Sequence, residues 1–542
     1  MRAAEHVLRF LAKCGVQYLF GIPGGTVNPF YDAVQDIPEI DILMSRHEAA
    51  AAYKAASYAK HSGKIAVVMG SSGPGSTNLI TGVASAMREG TPMLVLTGQI
   101  RSSKMGYGGA QESSPWTMDM VDAFKPFCKR SLMATSAAGL TDMVRQALWL
   151  ANTPPCGPVH ISIPMDVQMA EVGDPIPAAP KVAKMGGVSS LKLSEIFEFF
   201  YHRKGVILVG SGVKKARATI DFFRFAERIG WPVITTPAGK GAFPEDHKLS
   251  MGVYGLAGNQ SAKDAVNASD RVLILGTSLG ELATSNWSPA LFTEKTVVQV
   301  DHNPASIGRH FQPDVALVAD LTTFFNQLIP VLRPREWRVM QKAEDPSGDV
   351  MVQHLKGLAM SSPEDAILVS DIGEHMTWAL RHWKTRGDDG FDINVNFGGM
   401  GSGIASAIGA KLARLDRPVI CLTGDGCFAM HGSEILTAVQ YKIPVVFVVI
   451  NNYSYGMVRW GHYLQYNRFA EDFDYPYHDI TRVASGMGAH VVKVRTPEDW
   501  MQIRLEEALS ADRPTVIEVV VPSNGIPPMA DRVRYLKGEE DA

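Results

Sequence analysis

The chain has 542 residues, of which 46% are hydrophobic and 20% are charged, so it is too long for one hydrophobic core and should form about three domains. Its formal net charge of −3 at pH 7 gives no overall basic field, which argues against a nucleic acid partner. The longest apolar runs have the length of strands, which argues against a membrane span.

The N-terminus and the cysteines indicate a cytoplasmic protein. Residues 7, 8, 10 and 11 are apolar at helical spacing, so we expect an amphipathic helix with no signal or transit segment before it. The five cysteines show no C-x-x-C spacing. An odd number of this kind is typical of reduced thiols rather than of a disulfide framework.

Residues 1–170 alternate between strand-like and helix-like patterns. The apolar runs of this block lie at 18–20, 40–44, 65–69, 93–97 and 159–163. Such alternation predicts a parallel sheet covered by helices. The proline-rich segment that follows, 174–180, is expected to be an extended linker.

Each of three segments in this first block follows a predicted strand. They hold the pair Gly24 and Gly25, the acid Glu48, and the turn at 72–75. Glycine-rich turns allow the backbone to approach a ligand ring closely. Glu48 also has a purely structural interpretation, because acids favour helix N-termini through the helix dipole.

Residues 188–330 are expected to form a second, central α/β domain. Its apolar runs lie at 206–209, 232–235, 271–275 and 296–300. Glycines at 210 and 212, which follow the first of these runs, and glycines at 255 and 258 would suit a nucleotide groove. Short glycine pairs are equally common in structural turns, so both interpretations are open.

The third block, residues 355–522, contains the pattern that points most directly to chemistry. Asp425 follows the apolar run at 418–423, and Asn452 follows a second run at 444–450, 27 residues after Asp425. A helical crossover between parallel strands would bring both to the carboxyl edge of the sheet, where ligands bind. One carboxylate and one amide oxygen suit Mg²⁺, which usually also binds substrate phosphates and water.

Two further segments of this block follow strands or open helices. Residues 371–375, which end in His375, follow the apolar run at 367–370, and 397–403 is a loop dense in glycine. The polar segment 523–542 is expected to be a tail or a lid.

These segments together resemble the thiamine diphosphate (ThDP) enzymes, in particular the acetolactate synthase large-subunit branch. The segments that carry the resemblance are 20–25, 47–50, 72–75, 164–168, 371–375, 397–403, 424–426 and 451–452. The resemblance covers nearly the whole chain and implies an α/β fold of three doubly wound parallel-sheet domains. The first would bind the cofactor's pyrimidine and the third its diphosphate. It also implies a homodimer or homotetramer with active sites between subunits.

The resemblance implies roles for single residues. The catalytic residues would be Glu48, which starts proton transfer within the cofactor, Gln111 beside the pyrimidine, and Gly24 and Gly25, whose amides stabilise negative charge on the substrate. The metal ligands would be Asp425, Asn452 and the carbonyl of Ser454. The residues expected to contact the cofactor are Pro74, Asn78, Gly373, Glu374, His375, Gly398, Met400, Gly424, Gly426, Cys427 and Met457.

The implied reaction is ThDP- and Mg²⁺-dependent decarboxylation of a 2-oxo acid such as pyruvate, with carboligation to a second carbonyl compound. Ala110 and Gly461 stand where biosynthetic acetolactate synthases place a phenylalanine and a tryptophan. This departure leaves open a non-ligating decarboxylase or an acyl-transferring enzyme with a non-pyruvate donor. A non-catalytic relative is a third alternative, against which the intact Glu48, Asp425 and Asn452 argue.

The central block also departs from the biosynthetic members. Residues 276–282 contain no arginine, whereas those members carry an arginine-containing segment near FAD. Bound FAD and a structural central domain therefore both stay open.

Overall fold

The computed structural model describes residues 1–180, 186–202, 204–346, 348–386, 389–522 and 524–538. Three parallel sheets of six strands each, with flanking helices, make up the fold, which confirms the predicted α/β class and its three sheets. No helix within these ranges is both long enough and apolar enough to cross a membrane.

The N-terminal sheet has four inner strands that are mostly buried and two edge strands that are partly exposed. Its strands are β1 (Tyr18–Gly21), β2 (Asp41–Met44), β3 (Ala66–Gly70), β4 (Met93–Gln99), β5 (Arg130–Met133) and β6 (Pro158–Pro164). Its helices are α1 (Ala3–Lys13), α2 (Asn28–Ala33), α3 (Glu48–Ser62), α4 (Pro74–Arg88), α5 (Met120–Phe124), α6 (Leu140–Asn152) and α7 (Met165–Met169). The spatial order is β2-β1-β3-β4-β6-β5, and helices on its faces explain the continuous apolar runs of β3 and β4.

The central sheet has the strand order of a dinucleotide-binding fold. Its strands are β7 (Gly205–Val209), β8 (Val233–Thr235), β9 (Ser250–Val253), β10 (Arg271–Leu275), β11 (Thr296–Asp301) and β12 (Val315–Val318). Its helices are α8 (Ser190–Phe200), α9 (Ser211–Lys215), α10 (Thr219–Ile229), α11 (Gln260–Asn267) and α12 (Leu321–Leu328). They lie in the order β12-β11-β10-β7-β8-β9.

The C-terminal sheet repeats the strand order of the N-terminal one. Its strands are β13 (Ile367–Ser370), β14 (Phe391–Ile393), β15 (Val419–Gly424), β16 (Val446–Asn451), β17 (His490–Val494) and β18 (Thr515–Val520). Its helices are α13 (Val350–Ser361), α14 (Glu374–His382), α15 (Ser402–Ala413), α16 (Asp425–His431), α17 (Glu434–Gln440), α18 (Gly456–Tyr466), α19 (Ile480–Gly486), α20 (Leu505–Ser510) and α21 (Ala530–Leu536). The order is β14-β13-β15-β16-β18-β17, so strand order reverses between β13 and β15, and a crevice is expected there.

The predicted tail or lid is only partly described. Within 523–542, residue 523 and residues 539–542 lie outside the described residues, and the described part contains α21. Met529 and Val533 of this part pack against Trp460 of α18.

The N-terminal and C-terminal sheets share one hydrophobic core through helices α3 and α15. Side chains of both sheets, such as Val68 and Val369, belong to the same buried cluster. The helices approach closely because small residues face each other, and a Cβ at Gly409 would collide with the carbonyl of Lys54. Close helix contact of this kind fixes the two sheets relative to each other.

A fully buried ion pair crosses the same contact. Lys54 of α3 and Glu434 of α17 are both completely inaccessible to solvent, and the Lys54 ammonium donates to Glu434 Oε2. The other oxygen, Oε1, accepts from the amides of Arg46 at 2.8 Å and His47 at 3.1 Å. Glu434 therefore holds the two residues that precede Glu48.

Removing one partner of this pair is expected to destabilise the protein strongly. Lys54→Met should lower the free energy of unfolding by about 3–5 kcal/mol, because Glu434 would remain buried without a countercharge. Urea denaturation of the single variant and of Lys54→Met/Glu434→Gln measures this. The double variant should recover part of the loss. A single variant within about 1 kcal/mol of the wild type would show that the pair contributes no more than a surface one.

Candidate active site

The carboxyl edge of the C-terminal sheet brings together the two residues predicted to bind Mg²⁺. Asp425 begins α16 directly after β15, and Asn452 follows the end of β16. The carboxylate of Asp425 accepts from the amides of Gly426 and Tyr453, both at 2.8 Å. Both Asp425 and Asn452 are buried, and Asp425 follows β15, one of the two strands that border the crevice predicted from the strand order.

The turn after Asn452 is ordered by its own hydrogen bonds. The amide of Ser454 donates to Asn452 Oδ1 at 3.1 Å, and its hydroxyl donates to the carbonyl of Phe473 at 3.2 Å. Tyr475 of the same region faces Asp425, and burial together with that carboxylate raises the pKa of Tyr475. Sequence reasoning missed Tyr475, because no motif marks it.

Glu374 lies beside this pair as a second buried carboxyl group. Its Oε1 accepts from Asn452 Nδ2 at 2.6 Å, which fixes the orientation of the amide. Its Oε2 is buried and has no hydrogen-bond partner among the described residues. Burial raises the pKa of Glu374 to about 7; the hydrogen bond from Asn452 opposes this rise and the charge of Asp425 adds to it.

Glu374→Gln is expected to stabilise the cofactor-free protein at pH 8. The pKa of Glu374 is raised above its ordinary value, so the folded state favours the neutral acid and loses stability as pH rises towards 7. The increase in the free energy of unfolding caused by glutamine should reach about 3 kcal/mol above pH 7 and vanish near pH 4.5. Melting temperatures of both proteins across this pH range measure it. An equal difference at pH 5 and pH 8 would contradict the assignment.

His375 is held in the same crevice in its neutral form. Its ring is packed between two glycines: a Cβ at Gly373 would lie 2.7 Å from the ring and one at Gly424 3.3 Å. Burial lowers the pKa of His375 to about 4. Its Nε2 is buried without a partner in the described part of the chain, which makes it available to a ligand.

The glycine-rich loop forms the opposite wall of this crevice. Gly398 has φ +76°, and the position of a Cβ there would have no atom within 4 Å. The Met400 methyl group lies 3.4 Å from the position that a Cβ on Gly426 would take. Phe397 and Gly398 are exposed in the single chain, so this wall is open on one side.

The remaining predicted cofactor contacts of this domain lie around the same helices. Cys427 is buried in α16, and its thiol donates to the carbonyl of Ile372 at 3.1 Å. Burial raises the pKa of this thiol, so it suits packing rather than nucleophilic attack. Met457 is half-buried near the start of α18.

Glu48 occupies a different sheet edge, at the first turn of α3. Its Oε2 accepts from Asn78 Nδ2 at 3.0 Å. Its Oε1 lies 3.4 Å from the position that a Cβ on Gly75 would take, and Pro74 begins the same helix, α4. Glu48 is half-buried in the single chain. The structure thus groups Glu48, Asn78 and Pro74 at one place.

The other predicted catalytic residues lie near this group and differ in exposure and in the space around them. Gln111 is exposed and has φ 59°, and it packs 3.1 Å from the position of a Cβ on Gly73. Gly24 has no room for a side chain because Ser71 lies 2.6 Å away, whereas Gly25 is open. The carboxylate of Glu112, which sequence reasoning did not single out, accepts from the amides of three glycines in 106–109.

The predicted site residues therefore form two clusters, one at the N-terminal sheet and one at the C-terminal sheet. The Glu48 cluster belongs to the carboxyl edge of the N-terminal sheet, and the Asp425 cluster to that of the C-terminal sheet. Among the described residues, the hydrogen bonds of Glu48 and Asp425 stay within their own domains.

Trp460 directly precedes Gly461, the position at which the family pattern has a tryptophan. Trp460 is buried and packs on Tyr463, on Phe469 and on Met529 near the C-terminus. A Cβ at Gly461 would lie 3.3 Å from the methyl group of Met529. Contacts of Trp460 therefore stabilise the packing of the C-terminal segment, which contains Met529, against α18.

The glycines of the central domain are explained by backbone packing. A Cβ at Gly210 would collide with the carbonyl of Gly276, and one at Gly255 with the carbonyl of Leu282. A Cβ at Gly258 would lie 2.9 Å from the carbonyl of Gly255. These glycines are required by the fold, so they give no independent indication of FAD.

Comparison with known proteins agrees with this arrangement. Three models of thiamine pyrophosphate enzymes match the chain: the N-terminal TPP binding domain at residues 1–122, the central domain at 199–328 and the C-terminal TPP binding domain at 371–519. The chain is 32% identical to the acetolactate synthase large subunit of Lactococcus lactis subsp. lactis, covering 96% of this chain and 92% of that protein. It is 29% identical to the acetolactate synthase isozyme 3 large subunit of Escherichia coli, covering 95% and 93%.

A solved structure has the same overall arrangement. It is the X-ray structure of a protein from Mycobacterium smegmatis assigned as a thiamin diphosphate-dependent enzyme, with a TM-score of 0.83 and 25% sequence identity. The alignment covers 96% of this chain and all of that one.

Proposed function

The chain belongs to the thiamine pyrophosphate enzyme family, in the branch of the acetolactate synthase large subunits, and from this premise we propose its reaction. The protein decarboxylates a 2-oxo acid of the pyruvate type and joins the remaining acyl unit to a second carbonyl compound. ThDP and Mg²⁺ are its cofactors. The convergence of Asp425, Asn452, Glu374 and His375 in one buried crevice carries the proposal.

The polar groups of this crevice fit a metal-bound diphosphate. Glu374 Oε2 and His375 Nε2 are buried and lack partners among the described residues, which is costly unless a ligand binds there. Burial favours the neutral acid of Glu374, and this form can donate to a phosphate oxygen. No cluster of three or more His, Cys, Asp or Glu side chains in the described ranges could hold a metal by itself. Asp425, Asn452 and the Ser454 carbonyl would hold Mg²⁺ together with the phosphates, as Mg²⁺ prefers.

The residues of the chain supply positioning and proton transfer. When bound, ThDP provides a nucleophilic carbon and takes up the electrons that carbon dioxide leaves behind. Glu48 would hold the proton that is exchanged with the pyrimidine, and its bond from Asn78 orients the carboxyl group for that task. The Gly25 amide, which faces open space, would stabilise negative charge on the substrate oxygen. Met400 would give the cofactor an apolar support.

We propose that a complete active site needs two copies of the chain. The Glu48 and Asp425 clusters lie on separate sheets, and the loop with Phe397 and Gly398 is exposed in the single chain. A second copy that placed its Glu48 against this loop would cover the loop and complete the site. Because a two-fold interface repeats every contact, a dimer would hold two such sites.

A second candidate function is favoured by the pocket positions. Ala110 is exposed, and Gly461 has no side chain to face a substrate. The loss of aromatic walls suits a larger donor than pyruvate. A non-ligating decarboxylase, or an acyl-transferring enzyme with a non-pyruvate donor, is therefore the alternative. FAD is outside the proposal, because the glycines of the central domain meet the chain's own backbone.

Incubation of the purified protein with ThDP, Mg²⁺ and pyruvate tests the proposal. The expected products are carbon dioxide and acetolactate, both of which should disappear when either cofactor is omitted. Acetaldehyde as the sole organic product would favour the non-ligating decarboxylase. Absence of saturable ThDP binding by calorimetry would overturn both candidates.

A further inference from the structure

A cavity of about 280 Å³ lies where the three domains meet, away from both clusters of the candidate active site. Its walls come from the end of α3 with Lys60 and His61, from α9 with Lys214 and Lys215, and from the segment that contains Asp389 and Asp392. We propose that this cavity is a binding site for a phosphate dianion, either free or as the phosphate group of a small metabolite. This inference does not depend on the proposed reaction.

The charges that line the cavity favour a dianion. Among the described lining residues, the cationic groups are Lys60, His61, Lys214, Lys215 and Arg217, and the carboxylates are Glu89, Asp389 and Asp392. The five cationic groups outnumber the three carboxylates by two, so an anion with two negative charges would balance the wall.

His61 contributes a full positive charge to this balance. Its ring nitrogens lie 3.0 Å from Asp389 and 3.3 Å from Asp392. Burial alone would lower its pKa, but the two carboxylates outweigh burial and raise the pKa of His61 to about 9. His61 is therefore protonated at neutral pH, and its positive charge balances part of the negative charge of Asp389 and Asp392.

Lys215 is the cation with the greatest freedom to bind a ligand. Lys60 donates to Asn394 at 2.6 Å, and Lys214 donates to the carbonyl of Phe391 at 2.7 Å. The Lys215 ammonium makes no hydrogen bond or ion pair within the described ranges. Lys215 is exposed in the single chain, although the protein atoms around its ammonium lower the pKa of that group. A phosphate oxygen would provide the missing acceptor.

Arg217 adds a planar group to the same wall. One guanidinium nitrogen donates to the carbonyl of His61 at 3.2 Å, and the group lies over Gly63, where a Cβ would collide with it. The other N–H groups of an arginine fork suit two oxygens of one phosphate.

The cavity wall is connected to the loop that lines the candidate active site. Lys60 donates to Asn394 at 2.6 Å and to Asp392 at 3.4 Å, and Glu89 accepts from the amide and the side chain of Asn396, both at 3.1 Å. Both asparagines lie shortly before Gly398 and Met400 in the chain. An anion that draws Lys60 towards the cavity would therefore act on the position of this loop, and binding should alter ThDP affinity.

Calorimetric titration of the protein saturated with ThDP and Mg²⁺ tests the site. The saturating cofactor occupies the active-site crevice, so added phosphate reports on other sites. Inorganic phosphate and glycerol 3-phosphate are the two probes. Saturable binding of one molecule per chain by either probe is expected, and the tighter probe distinguishes a free anion from a phosphate ester.

Substitution of Lys215 locates the binding. Lys215→Gln should weaken binding at least about tenfold, and Lys215→Arg should retain it. Lys248→Gln, the same charge change at an exposed residue of the central domain, is the matched control and should bind as the wild type does. Circular dichroism confirms the fold of each variant. No saturable binding of either probe, or equal affinity in Lys215→Gln, would overturn the proposal.

Discussion

Glu48→Gln is expected to slow the reaction by about 10²- to 10⁴-fold while ThDP stays bound. Glutamine has the shape of glutamate and can still accept from Asn78, whose amide lies 3.0 Å from Glu48. It cannot hold or release the proton that the pyrimidine needs. Hydrogen–deuterium exchange at the reactive carbon of the bound cofactor measures this loss directly and needs no knowledge of the substrate.

Cofactor binding separates this role from a structural one. ThDP affinity should change by less than about threefold, because Glu48 acts on proton transfer and the diphosphate is held by the other cluster. Glu39→Gln, an exposed acid of the same domain, is the matched control and should leave the exchange rate unchanged. Fast exchange in Glu48→Gln would remove Glu48 from the mechanism.

The parts of the fold that the sequence predicts are those with continuous apolar runs. β15 and β16 are buried along their length, so their runs are visible in the sequence and place Asp425 and Asn452 at strand ends. A strand covered on both faces must be apolar throughout. For the same reason, the apolar runs predict the bounds of β3, β4, β10 and β13 to within a few residues.

The strands that the sequence does not reveal lie at sheet edges or carry a charge. β17 at an edge is partly exposed, and its pattern lacks a buried run. β18 is buried, but Glu518 interrupts it. That carboxylate accepts from Asn451 at 2.7 Å and pairs with Lys493 at 2.9 Å. A buried acid is tolerated when it is paired and hydrogen-bonded, but it interrupts the apolar run from which the strand could be predicted.

Motifs predict residues of the candidate site, but they do not predict the contacts between segments that are distant in the chain. The bond between Glu374 and Asn452 joins residues 78 positions apart, and that between Lys54 and Glu434 joins residues 380 apart. Such contacts depend on the packing of whole domains, which spacing along one segment does not encode. The raised pKa of Glu374 follows from those contacts and is hidden for the same reason.

Asp425→Ala is expected to weaken Mg²⁺-dependent ThDP binding by at least about 100-fold. Even the substitution of residues that only hydrogen-bond to metal ligands lowers metal affinity by about 10- to 100-fold. The substitution removes a carboxylate that would bind the metal and that accepts from Gly426 and Tyr453. Fluorescence titration with ThDP at several Mg²⁺ concentrations measures it. Asp425→Asn, which keeps one acceptor oxygen, should lose less. Unchanged affinity and unchanged Mg²⁺ dependence in Asp425→Ala would exclude Asp425 as a ligand.

The two variants in one oligomer test where the active site is assembled. In a dimer of one Glu48→Gln chain and one Asp425→Ala chain, sites between subunits would leave one site with both defects and one with neither. Such hybrids, purified through a different tag on each chain, should recover about half of the wild-type activity, although each variant alone is strongly impaired. If each site lay within a single chain, every site of the hybrid would carry a defect and no activity would return. Recovery would therefore place Glu48 of one copy against Asp425 of another, in agreement with the proposed site between subunits.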